Sequence, residues 1–148
     1  MASLQDKVTI ITGASSGIGE STALLFAESK AKVVLAARNV ENLEKVASLC
    51  QSKGLSKNDI NNAGRGNMGN VMATSATTLD DTMNTNFKSS YNLSRLCVPH
   101  LIKTQGSIVN VSSLLGQRAG PHISAYCIAK AALDMFTHLL ALGIICVT

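Results

Sequence analysis

Three observations predict an α/β fold built on a parallel sheet. "KVTIIT" (Lys7–Thr12) and "KVVLAA" (Lys32–Ala37) are short, β-branched, continuous apolar runs of the kind that form buried strands. A helical stretch separates them and a second one follows, and strand–helix–strand alternation forces neighbouring strands to run parallel. The first run also leads directly into a glycine-rich turn, "TGASSGIG", at the carboxyl end of a strand.

The elements follow in order. From Gly17 to about Lys30, Ile18, Leu25 and Phe26 sit at helical spacing. An amphipathic, polar helix is expected from about Val40 to Lys53. A long helix from about Thr77 to Ile102 comes next, with Pro99 as the place for a bend. "SIVNVSS" is expected as a third strand. Ser124 to Leu142 reads as a helix whose apolar stripe is Ile128, Ala129, Ala132, Leu133, Phe136, Leu139 and Leu140. "GIICVT" has the composition to start a fourth strand.

The 148 residues suffice for one domain with one core. Apolar residues make up 46% and charged residues 15%, a globular balance. Aromatics are 3% with no Trp, so the core is built from Val, Ile, Leu and Ala. The net charge of +4 and pI near 9.0 suit an anionic ligand, but Lys and Arg are scattered and no basic run points to nucleic acid.

"MASLQDKVTIITG" carries Asp6 and only a short apolar run, unlike a signal or transit peptide. No continuous apolar stretch approaches the roughly 18–20 residues of a bilayer span, so no membrane partner is expected. Cys50, Cys97, Cys127 and Cys146 are far apart and lack metal-ligand spacing. Reduced thiols in a cytoplasmic protein without a metal are the expectation.

In the glycine-rich turn, Gly13 allows a tight reversal and Gly17 leaves room for the backbone to approach a pyrophosphate. Gly19 lets the helix lie close to the sheet, and the free N–H groups of its first turn face the anion. At the end of the second strand, an acidic side chain would bond the ribose 2′-hydroxyl of NAD. Here Ala37 and Arg38 stand instead, which suits the 2′-phosphate of NADP(H).

"YCIAK" puts Tyr126 and Lys130 four residues apart on one helical face. A free phenol titrates near pH ~10, and an adjacent ammonium favours the phenolate. Such a pair can exchange a proton with a carbonyl or hydroxyl oxygen while hydride moves to or from a cofactor. Ser113 follows the third expected strand, at the end of the sheet where such folds bind ligands, and its hydroxyl could hold the same oxygen.

Together these motifs resemble the short-chain dehydrogenase/reductase family, in an NADP-preferring form. "TGASSGIG" matches its TGxxxGxG loop and "NNAG" (Asn61–Gly64) its NNAG motif. "TMNTNFKS" matches the region of its catalytic asparagine, which falls on Asn86, and "NVSSLLG" with "YCIAK" matches its Ser…YxxxK signature. The match runs from about Lys7 to Leu142 in the family's order. The resemblance implies a Rossmann-like doubly wound parallel sheet. It implies that Ser113 polarises the substrate oxygen, Tyr126 is the general acid/base, and Asn86 supports a proton-relay water. Lys130 would hold the nicotinamide ribose and favour the phenolate. Cofactor contacts would come from Gly13, Ser15, Ser16, Gly17, Ile18, Gly19, Arg38, Asn62, Ala63 and Gly64, together with Tyr126 and Lys130.

The sequence departs from the family in two places. The family carries a strand, a helix and a further strand before NNAG, whereas here "GLSKNDI" runs straight into Asn61. That missing strand would lie beside the first, and each buried backbone group left unpaired costs about 1–3 kcal/mol. Either "LSKNDI" serves as a substitute strand or the first and third strands close together. Beyond "GIICVT" the family adds a further strand and a substrate-covering segment. The sheet is therefore expected to be incomplete.

Two functions follow. The first is an NADP(H)-dependent oxidoreductase of small carbonyl or alcohol substrates. The second is an inactive product, a shortened isoform or an incomplete gene product, for which pairing with a family member is conceivable, since the long helix and the Tyr126 helix resemble the family's dimer faces.

Overall fold

The computed structural model describes residues 4–52, 64 and 66–145. They fall into two compact units divided between Ala63 and Gly64. "LSKNDI", Asn62, Ala63 and Cys146 lie outside the described residues.

The first unit is β1 (Val8–Thr12), α1 (Gly17–Glu28), β2 (Lys32–Ala36) and α2 (Val40–Ser52). The strands pair in parallel, from Val8 opposite Lys32 to Thr12 opposite Ala36. That is the pairing a helical crossover dictates. The helix α1 stops in a Schellman arrangement: Lys30 N–H donates to the Ala27 carbonyl at 2.9 Å and Ala31 N–H to that of Phe26 at 3.0 Å. Lys30 takes φ 65 to do so, a position that favours glycine. The second helix begins where Asn39 Oδ1 accepts from the Asn42 N–H at 3.0 Å.

The buried face of α1 differs from the expected one. Ile18 and Leu25 are 70% and 47% exposed, while Gly19, Ala23 and Ala27 are buried. These three are spaced four apart, so they form one ridge of small side chains that lets the helix lie close against its neighbours. The core joins Ala14, Ala23, Ala27 and Ala31 to Val33, Leu35, Val46 and Cys50. Nor is β1 wholly buried, since Val8 and Ile10 on one face are 65% and 40% exposed. Among the described residues its one strand partner is β2.

In the second unit, α3 (Ala76–Met83), a π-helical turn (Asn84–Lys88) and α4 (Ser89–Thr104) follow one another without a break. This covers the expected Thr77–Ile102 helix, with Pro99 inside α4. A 3₁₀ turn (Leu114–Gly116) precedes α5 (Ser124–Ile145). A single parallel bridge, Gly69 with Ile123, ties the loop before α3 to the start of α5.

Two expected strands are absent among the described residues. "SIVNVSS" has strand-forming side chains but no ladder, and Val109 and Val111 are 85% and 49% exposed. Strand preference is a preference for neighbours, and without them the segment is tied to α5 through side chains. Asn110 Nδ2 donates to Thr137 Oγ1 at 2.9 Å and Lys130 Nζ to the Val111 carbonyl at 2.8 Å. Gly143–Ile145, expected to open a fourth strand, forms the last turn of α5.

The buried side of α5 is Ala125, Ala129, Leu133 and Phe136, whereas Ile128 and Leu139 of the expected stripe are 51% and 57% exposed. Its stretch Ser124–Gly143 is long and apolar enough to cross a bilayer by length and composition alone. A continuous-run criterion misses it because Lys130 and Asp134 interrupt it. Phe136 packs with Phe87 and Tyr91, with ring centroids 6.1 and 5.0 Å away.

Candidate active site

In the first unit the glycine-rich turn has the backbone its sequence asks for. Gly13 adopts φ 67 and Gly17 φ 58, conformations that only glycine takes without strain. The Gly13 N–H donates to the Ala36 carbonyl at 3.1 Å and so anchors the turn to the end of β2. Ala14 is fully buried beneath it. Ser15 is half-buried, while Ser16 and Ile18 are exposed and Gly19 is buried in the core-facing ridge.

Ser16 holds the N-cap position of α1 in an extended conformation, and its side chain makes no capping hydrogen bond. A Cβ placed on Gly17 would meet nothing within 4 Å. The turn thus presents an uncommitted hydroxyl, open space and the unpaired end of a helix, which fit a diphosphate. Arg38 is exposed two residues beyond β2, the right chemistry for an additional phosphate. These residues fit a nicotinamide dinucleotide.

In the second unit Tyr126 and Lys130 lie in the first and second turns of α5, on one face. Lys130 Nζ lies over the Tyr126 ring, 5.7 Å from its centroid. The residue is only 6% exposed. Burial lowers the Lys130 pKa from its ordinary 10.5, and the Asp134 carboxylate one turn on works against that fall. No direct ion pair joins Lys130 to Asp134 among the described residues.

Ser113 caps the 3₁₀ turn, its Oγ accepting from the Leu115 N–H at 3.2 Å. The hydroxyl hydrogen stays free to donate elsewhere. Next to it, Ser112 Oγ lies 3.5 Å from the Lys130 carbonyl. The segment carrying Ser113 is therefore tied to the helix turn carrying Lys130 by two contacts, this one and the bond to Val111. No hydrogen bond joins Ser113 to Tyr126 among the described residues.

Asn86 is 1% exposed and sits within the π-helical turn. Its Nδ2 donates to the Thr82 carbonyl at 3.0 Å, and its Oδ1 would be 3.4 Å from a Cβ on Gly64. The last residue of NNAG thus lies near Asn86, where an added Cβ would just reach van der Waals contact. Thr82 Oγ1 in turn accepts from Asn67 Nδ2 at 3.1 Å. A π turn interrupts the regular backbone pattern and is common at working sites.

Sequence reasoning missed three residues around this site. Asn67 supports Thr82, and Gly116 carries the Ser113 turn against α5. Asp134 lies four residues from Lys130, a spacing that alone could have drawn attention to it. Among the described residues no group of His, Cys, Asp and Glu could hold a metal ion.

The family model for short chain dehydrogenases matches residues 7–59 and 60–144. The chain belongs to that family. An uncharacterized oxidoreductase of Mycobacterium tuberculosis is 31% identical, over 97% of this chain and 66% of its own length. That alignment runs over 174 positions, more than the 148 residues present, so the relative has residues with no counterpart here. The 3-oxoacyl-[acyl-carrier-protein] reductase FabG of Thermotoga maritima is 32% identical, over 86% of this chain and 64% of its own length. The chain spans about two thirds of the length of these curated relatives.

A crystal structure of NAD⁺-bound xylitol dehydrogenase superposes with a TM-score of 0.90 at 24% identity, covering 97% of this chain and 66% of that one. This likeness establishes a Rossmann-type fold, of which the chain spans about two thirds of the neighbour's length.

Proposed function

We propose that the protein is an NADP(H)-dependent oxidoreductase acting on a small carbonyl or alcohol, with Tyr126 as general acid/base. The observation that carries this reading is the Tyr126–Lys130 pair. A buried ammonium is held at 2.8 Å by the Val111 carbonyl and lies over the Tyr126 ring at 5.7 Å. This sets a cation beside the side chain proposed to transfer the proton. NADP(H) rather than NAD(H) is proposed from exposed Arg38 and from the absence of an acidic side chain at Ala37.

Each residue has a task. Gly13, Ser15, Ser16, Gly17, Ile18 and Gly19 would cradle the diphosphate and Arg38 would take the 2′-phosphate, and Asn62, Ala63 and Gly64 are assigned to the cofactor by their match to the family's NNAG motif. When bound, the nicotinamide donates or accepts the hydride. Ser113 donates its free hydroxyl hydrogen to the substrate oxygen, and Tyr126 gives that oxygen a proton in reduction or removes one in oxidation. Lys130 spends one N–H on Val111 and has two left, enough to reach a ribose hydroxyl. Asn86, through its place in the π turn, supports a water that passes a proton from solvent to Tyr126 in reduction and from Tyr126 to solvent in oxidation.

A steady-state assay of NADPH oxidation against several ketones and 3-oxoacyl thioesters tests the proposal. Turnover that falls by about 10²-fold or more in Tyr126→Phe and in Ser113→Ala supports it. Absence of turnover with every substrate, by a chain that melts cooperatively, contradicts it.

A further inference from the structure

Asp134 presents a feature that the proposed mechanism does not use. Its Oδ2 is buried and has no hydrogen-bond partner, and a buried polar atom in that state calls for a reason. Its surroundings are specific. A Cβ on Gly116 would collide with this oxygen, and would lie 3.0 and 3.1 Å from the carbonyl carbon and oxygen of Lys130. Gly116 is therefore pressed onto α5 between Lys130 and Asp134. The same 3₁₀ turn is capped by Ser113, whose carbonyl accepts from the Gly116 N–H at 2.9 Å. One carboxylate thus touches the turn that carries Ser113 and follows Lys130 by one turn of helix.

We propose that Asp134 is a positioning residue that sets a carboxylate one helical turn from the buried Lys130 side chain and seats the Ser113 turn against α5. The carboxylate forgoes a hydrogen bond to stand where its field reaches Lys130. It makes no contact ion pair, so Lys130 Nζ remains directed to the Val111 carbonyl and the Tyr126 ring. A neutral side chain at position 134 would fill the same space without that field. The direction of the Lys130 shift agrees, since Asp134 is the charge that opposes the effect of burial.

Other groups near Lys130 do not substitute for Asp134. On α5 the other titratable neighbours are the Tyr126 phenol and the free Cys127 thiol, four and three residues before Lys130, and neither carries a fixed negative charge there. The Val111–Gly116 segment offers only carbonyls and serine hydroxyls, and Asp80 and Asp81 on α3 and Lys88 in the π turn are exposed.

The test is the titration of Lys130 itself, by competitive acetylation from about pH 6 to about pH 11 with mass-spectrometric readout of each lysine. It needs no cofactor, so it is decided separately from the oxidoreductase proposal on which the functional meaning of Asp134 rests. In Asp134→Asn the Lys130 midpoint is expected to fall and its labelling near neutral pH to rise on the order of fivefold. Exposed Lys103 should be unchanged, and Asp134→Glu should restore the wild-type midpoint. An unmoved Lys130 midpoint in Asp134→Asn, or an equal change at Lys103, overturns the proposal.

Should Asp134→Asn fail to fold, Lys130→Met and Lys130→Met/Asp134→Asn carry the test. With the ammonium gone the carboxylate has no charge to serve, so the double variant should melt at or above the single one. A double variant that melts well below Lys130→Met overturns the proposal.

Discussion

Lys130 Nζ donates to the Val111 carbonyl at 2.8 Å, which binds the second turn of α5 to a segment that has strand chemistry but no ladder. This bond, the contact of Ser112 with the Lys130 carbonyl and the Gly116 packing hold the Ser113 turn on the helix of Tyr126. The predictions below follow from such relationships.

The first concerns pH. Burial lowers the folded-state pKa of Lys130 below 10.5. Between the two values the unfolded chain binds more protons at this site than the folded one. Its penalty is thus fully present below the folded-state value and is relieved as pH rises through that value towards 10.5. Urea midpoints of the wild type should therefore gain on those of Lys130→Met as pH is raised from neutral into this window. A constant difference would contradict the burial effect.

Asn86→Asp keeps the shape of the side chain but turns the Nδ2 donor into an acceptor facing the Thr82 carbonyl, 3.0 Å away. A buried group left unsatisfied costs about 1–3 kcal/mol. The variant should lose that much in urea unfolding near neutral pH and recover part of it in acid, where a protonated carboxyl can donate.

Phe136 is 8% exposed and touches both other rings of its cluster. Phe136→Ala should cost about 3–5 kcal/mol, a large part of a domain's total stability. Calorimetry should show a melt lowered by roughly 10 °C or more.

Lys30 closes α1 at φ 65. Lys30→Gly removes a left-handed strain of about 1–2 kcal/mol per residue, partly offset by the entropy of glycine. A net gain of about 0.5–1 kcal/mol is expected in chemical unfolding, with no change in cofactor binding.

Much of this was legible from residues alone. β1, β2 and the helices between and after them follow from runs of Val and Ile and from the helical spacing between them. The positive φ of Gly13 and Gly17 follows from the turn they had to make. The tyrosine–lysine pair was legible because helical spacing fixes a shared face. What failed did so for one reason, that side-chain pattern does not name its neighbours. "SIVNVSS" has strand propensity but no ladder among the described residues. The bulky Ile18 and Leu25 looked like core, yet α1 approaches its neighbours on Gly19, Ala23 and Ala27. Asp134 could have been noticed by its four-residue spacing from Lys130, but its meaning and that of Gly116 lie in contact between a turn and a helix.

The central claim is that this incomplete sheet still holds a dinucleotide on the Gly13–Gly19 turn, with Arg38 selecting the phosphorylated form. A thermal melt followed by circular dichroism, with and without NADPH, tests it most directly. At a hundred times its dissociation constant a ligand adds about 2.7 kcal/mol, which for a chain of this size raises the melting temperature by roughly 5–10 °C. The account predicts a cooperative melt that moves up by this amount, further with NADPH than with NADH, and a preference that vanishes in Arg38→Ala. A melt that stays at the same temperature with either cofactor in large excess would contradict it.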